Sequence, residues 1–158
     1  MSTLAFARRR LAPLLAALAL GACRDLLGAG SCEHTYRDPL LVLQTVTDAR
    51  TGAPLTRVTI RDVTVAGQPV RAEDLLRGPT RNVVLDNGGL VCAGDCGFAT
   101  TPGLYRLTVA AQGYQPLVVE RDADYARFQR GCPSFNEGSS VMQVQLTPIS
   151  TGLVLTKR

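Results

Sequence analysis

From Leu40 onward, short apolar runs alternate with clusters of Gly, Pro, Asn and Asp. That texture predicts many short strands rather than helices. In "PGLYRLTVAAQGY", Tyr105, Leu107 and Val109 alternate with Arg106 and Thr108, between Gly103 and Gly113. In "SVMQVQLTP", Met142, Val144 and Leu146 alternate with Gln143, Gln145 and Thr147. Successive side chains of a strand point to opposite faces, so each segment reads as a strand with one buried face. One-faced strands imply packed antiparallel sheets.

Other runs are shorter or less regular. "LLVLQTVTD" ends at "DARTGAPL", where Gly52 can turn the chain at positive φ. In "TRVTIRDVTV", Val58 and Ile60 share one register, whereas Val63 and Val65 fall in the other. A slip of one residue predicts a bulge near Arg61 and Asp62. Residues 66 to 96 are the least regular part. There "PVRAEDLLRG" suits a short helix and "RNVVLDNGG" a strand followed by a turn. "QPLVVE" is a further strand, and the charged "RDADYARFQRG" reads as a loop or short helix. The tail "ISTGLVLTKR" either adds an edge strand or trails.

The N-terminus has a different pattern. Arg8, Arg9 and Arg10 precede the apolar stretch of residues 11 to 22. A membrane-spanning helix needs about 20 apolar residues, so this run is too short to span and suits a signal peptide. It closes with Leu20-Gly21-Ala22-Cys23, which resembles the bacterial lipobox. The resemblance implies cleavage before Cys23, a diacylglycerol thioether on its sulfur, and acylation of the new amino terminus. Residue 24 is Arg, not the Asp that resembles an inner-membrane retention signal, which points to the outer membrane of a two-membrane bacterium.

Removing residues 1 to 22 changes the electrostatics. Three of the 17 basic residues leave with it, and 14 remain against 13 acidic ones, so the formal charge falls from +4 to +1. The mature chain offers no electrostatic case for nucleic acid. Export also sets the redox compartment. Of five cysteines, Cys32, Cys92, Cys96 and Cys132 remain after Cys23 is assigned to lipid. Exported chains keep disulfides, and four cysteines allow three pairings.

"VTDARTGAPLTRVTIRD" resembles the first hairpin of carboxypeptidase regulatory-like domains. "CGFATTPGLYRLTVAAQGYQPLVV" resembles their later hairpin, and "VQLTP" their last strand. Residues 66 to 96 depart from that pattern. The resemblance implies an all-β fold, an antiparallel β-sandwich of about seven strands of the transthyretin-like or prealbumin-like kind. The expected organisation is a signal peptide at 1–22, a lipidated tether at 23–38, the sandwich at 39–150 and a tail at 151–158. If the first and last strands are parallel neighbours, as in related sandwiches, Cys32 pairs with Cys132 and Cys92 with Cys96.

Candidate chemistry is sparse. Cys92 and Cys96, with Cys32 and His34, carry a metal reading, but their three-residue gap is not the Cys-x-x-Cys redox spacing, and structural disulfides are preferred. Asp86, Asp95, Asp122 and Asp124 are scattered acids that read as solvated turns rather than calcium ligands. Tyr36, Tyr114, Tyr125 and Phe128 are candidate binding aromatics. The preferred reading has Tyr114 capping a strand end, and Tyr125 with Phe128 packing a loop onto the domain. His34 is the only histidine, and no nucleophile elbow, phosphate loop or zinc-protease motif occurs. No cofactor is expected, and the chain reads as a non-enzyme: an envelope lipoprotein anchored by lipid on Cys23, acting as a structural or binding module for a protein or glycan. The alternative is an accessory subunit or minor hydrolase with active groups on loops 66–96 and 120–140.

Overall fold

The computed structural model describes residues 33 to 150. The expected signal peptide at 1–22, Cys23, Cys32 and the tail at 151–158 lie outside the described residues. Eleven strands follow one another among the described residues: β1 (His34–Tyr36), β2 (Leu41–Asp48), β3 (Arg57–Val65), β4 (Gln68–Pro69), β5 (Arg81–Asp86), β6 (Gly89–Phe98), β7 (Gly103–Ala110), β8 (Leu117–Ala123), β9 (Arg127–Gln129), β10 (Ser134–Glu137) and β11 (Ser140–Leu146). The only helical turn among the described residues is a 3-10 turn at Asp74–Leu76, within the stretch expected to form a short helix. Both sheets belong to a compact unit that begins at His34.

The larger sheet has eight strands in the order β11-β2-β6-β3-β7-β8, with β4 beside β3 and β5 beside β6. The clean alternations fold as expected. Tyr105, Leu107 and Val109 of β7 are buried, as are Met142, Val144 and Leu146 of β11. The Tyr105 hydroxyl donates to the Thr101 carbonyl oxygen at 2.6 Å, so this fully buried ring keeps a partner for its polar tip. The expected bulge is present: the β3–β7 register shifts between Arg61 and Thr64, and Asp62 stands at φ 52°.

The expectation of a purely antiparallel sandwich is corrected. β11 runs parallel to β2, from Ser140 beside Leu41 to Leu146 beside Asp48. The sheet is therefore mixed. It is also continuous, because β6 belongs to both of its halves. Leu90 to Ala93 pair with β3, and Cys96 to Phe98 pair with β2. Strands that switch partners in this way do so at a bend.

The bend lies at Cys92 and Cys96, which are joined by a disulfide. Four residues of straight strand would separate their Cα atoms by about 13 Å; they are 5.5 Å apart. Ala93, Gly94 and Asp95 bow outward and are exposed, while both cysteines are fully buried. Gly94 adopts φ 82°, a value that suits glycine. Past the bend, Gly97 lies under Pro39, and a Cβ at that position would collide with the proline ring. The corner lets residues of β2, β3, β6, β7 and β11 share one hydrophobic core, with Leu41, Leu43, Val58, Ile60, Phe98 and Leu146 all at 1% exposure or less.

Two further expectations are corrected. Residues 34 to 36, assigned to the tether, form β1. The charged segment expected as a loop or short helix contains the end of β8 and all of β9. With β10, these short strands build the second sheet.

Candidate ligand-binding face

The second sheet has three strands in the order β1-β10-β9. β1 runs parallel to β10 with a constant offset, pairing His34 with Ser134, Thr35 with Phe135 and Tyr36 with Asn136. β9 runs antiparallel to β10, pairing Phe128 with Asn136 and Arg127 with Glu137. Paired residues share a face, and alternate residues change face. One face therefore carries His34, Tyr36, Ser134, Asn136 and Phe128. The other carries Thr35, Phe135, Glu137, Arg127 and Gln129.

These two faces differ in chemistry. On the second, the Arg37 guanidinium lies 3.8 Å from the centre of the Phe135 ring. Arg37 also donates to Glu137 Oε1 at 2.6 Å, so this charged surface satisfies itself. The first face has no Asp, Glu, Lys or Arg at any of its five strand positions. Its rings touch. His34 meets Tyr36 edge-on at 4.9 Å between ring centres and Phe128 at 5.7 Å. Phe128 is 57% exposed and Tyr36 37%. Asn136 and Ser134 are buried at the same strand level, and Ser134 Oγ is 2.7 Å from His34 Nδ1. The hydrogen bond engages one nitrogen of the imidazole.

The face is fastened to the main core through Tyr125. This ring is tilted against Tyr36 at 5.8 Å and belongs to the hydrophobic core. Its hydroxyl donates to the Asp38 carbonyl oxygen at 3.3 Å, and burial pushes its pKa well above the ordinary phenol value. Asp38 Oδ2 in turn accepts the Gly138 N–H at 2.7 Å. Gly138 stands at φ 80°, facing Ala126 so closely that a Cβ there would have no room. The chain thus has little freedom where β10 leaves the sheet.

Of the four candidate aromatics, the structure brings Tyr36, Tyr125 and Phe128 together and leaves Tyr114 elsewhere. Tyr114 donates to Asp48 Oδ2 at 2.9 Å, which accords with a strand-end cap. Asp48 Oδ1 accepts the backbone N–H groups of Arg50 and Thr51, and these bonds, with that of Tyr114, hold its carboxyl below the usual range. Tyr125 packs inward as expected; Phe128 does not. His34 was not expected in the cluster. Its strand is three residues long, too short to show a period.

Elsewhere the candidate groups are dispersed. Asp86 pairs with Arg57 at 3.6 Å. Asp95 pairs with Arg81 at 3.1 Å and accepts from Asn82. Asp122 lies opposite Leu104, and Asp124 accepts the Tyr125 N–H. Among the described residues, no three His, Cys, Asp or Glu side chains are grouped to hold a metal. Cys132 is disulfide-bonded and stands two residues before Ser134. A cleft of about 100 Å³ lies beside Tyr105, Leu75 and Asp74. There the Arg71 side chain hydrogen-bonds Asp74 and lowers its pKa, which suits a fixed ion pair rather than a proton donor.

No protein-family model matches the chain, and no curated protein matches it.

Proposed function

We propose that this chain is an envelope lipoprotein, anchored by lipid on Cys23, whose mature domain is a non-catalytic binding module. The observation that carries the binding role is the uncharged aromatic face of β1, β10 and β9, where Phe128 and Tyr36 stay open to solvent. Exposed aromatics over satisfied polar groups make contact area at low entropic cost. The partner is an envelope protein or glycan. The anchor rests on the Arg cluster, the short apolar run and Leu20-Gly21-Ala22-Cys23.

The domain itself we read as carboxypeptidase regulatory-like, on the strength of its two hairpin sequences. The second disulfide we assign to Cys32 and Cys132. The offset of 100 that pairs His34 with Ser134 is the same as the separation of these two cysteines.

Two measurements test the reading. Mass spectrometry of the mature N-terminal peptide should find Cys23 first and acylated, and Cys23→Ala should release the domain from membranes or leave an uncleaved precursor. A photo-crosslinker at position 128 should capture envelope material in intact cells. Acylation missing from Cys23 would refute the anchor, and an inert position 128 would refute the binding face.

A further inference from the structure

The aromatic face also limits what can bind it, and this inference rests on the binding-module reading above. Three strands about 4.8 Å apart, each offering about three residues at 3.3 Å rise, present a face on the order of 100 Å². A standard protein–protein interface buries about 800 Å² on each partner. The small sheet falls well short of that, and the charged chemistry lies on its other side with Arg37, Phe135 and Glu137. A flat, compact ligand fits better than a protein surface.

Charge narrows the class. No acidic or basic residue other than His34 occupies the strand positions of this face. None of the five strand positions offers an anionic headgroup or phosphate a guanidinium or ammonium. The rings and the polar groups are mixed: Phe128 and Tyr36 offer apolar ring surface, while the Tyr36 hydroxyl and the His34 imidazole offer hydrogen bonds. A ligand that suits this mixture has one apolar flat side and a polar rim, and carries no charge. Pyranose rings have that character: their C–H groups cluster on one side and their hydroxyls project around the edge.

We propose that the face formed by His34, Tyr36 and Phe128 binds an uncharged oligosaccharide, one or two pyranose rings of an envelope glycan stacked on the two open rings. His34 supplies the reporter, because it is the only histidine in the chain. Its Cε1–H signal in the NMR spectrum of the full mature chain, in detergent, therefore needs no assignment. The probes are chitotetraose, cellotetraose and maltotetraose, each titrated at millimolar concentration.

The expected result is a saturable shift of the His34 signal with at least one of the three. Phe128→Ala should weaken it at least about tenfold, as expected for the loss of a stacked ring, whereas Phe128→Tyr should keep it. An unchanged melting temperature in Phe128→Ala separates lost binding from lost folding. Failure of all three sugars to move the signal would overturn the proposal. So would a shift caused by phosphatidylglycerol vesicles and not by sugar. A protein captured through position 128 with no saccharide shift would overturn the saccharide assignment and leave the binding module standing. Mature chain isolated from envelopes without acyl groups would refute only the anchor, and a sugar-dependent shift in that chain would still support the assignment.

Discussion

Cys92 and Cys96 bring two halves of one strand to within 5.5 Å at their Cα atoms. Their bond closes the corner where β6 passes from β3 to β2. Cross-linking so short a loop restricts the unfolded chain by about 2 kcal/mol in the chain-entropy account. The double variant Cys92→Ala/Cys96→Ala should therefore lose about 2 kcal/mol or more in urea denaturation. Both residues are fully buried, so lost packing adds to that figure. An unchanged midpoint would mean that the β2 and β3 pairings alone hold the corner.

Gly97 probes the same corner from the other side. A methyl group there would meet Pro39 Cβ at 3.0 Å and press closer still to the ring's Cγ. Overpacking of this kind costs roughly 1–3 kcal/mol. Gly97→Ala should lower the urea midpoint accordingly, with an unchanged denaturant slope. A variant as stable as the parent would show that Pro39 can move aside.

The turn after β2 makes the fold acid-sensitive. The N–H groups of Arg50 and Thr51, with the Tyr114 hydroxyl, favour the ionised form of Asp48 and lower its pKa in the folded state. A carboxyl with a depressed folded pKa contributes stability that is complete above its unfolded value, about 4, and is lost as pH falls through the folded value. The melting temperature should drop below about pH 4, and Asp48→Asn should flatten that drop. Tyr114→Phe should flatten it less, since the two backbone donors remain. Equal pH slopes in the parent and Asp48→Asn would remove Asp48 from the account.

Alkaline titration probes the core in the opposite direction. Burial pushes the Tyr105 phenol up to about 12, above its ordinary value near 10. An acid with a raised folded pKa contributes stability below its unfolded value and loses it as pH rises towards the folded one. The domain should weaken between about pH 10 and 12, and Tyr105→Phe should soften that decline while forfeiting the hydrogen bond to Thr101. No change in the alkaline limb would contradict this.

Much of the large sheet was legible in the residues. Alternation in β7 and β11 marks the buried faces, and the slip from Ile60 to Val63 marks the bulge at Asp62. The pairing partners were less legible. The parallel contact of β2 and β11 and the Cys92–Cys96 pair were expected only by analogy with related sandwiches, and no local pattern announces that β6 bends there and changes partner. The small sheet was hidden for a simpler reason. β1, β9 and β10 have three or four residues each, and a period of two cannot be read from so few. Phe128 was therefore expected to pack inward, and its exposure follows from the register that sets it beside Asn136.

The proposed binding role rests on the aromatic face. Its most direct test is cosedimentation of the unlipidated Cys23→Ser chain with isolated envelopes, compared with the same chain carrying Tyr36→Ala and Phe128→Ala. Removing two exposed hot-spot rings should weaken retention at least about tenfold. Phe128→Ala alone should lose retention with the melting temperature barely changed, because that ring is 57% exposed, whereas Tyr36→Ala also removes the contact with Tyr125. Equal retention of the two chains would contradict the account.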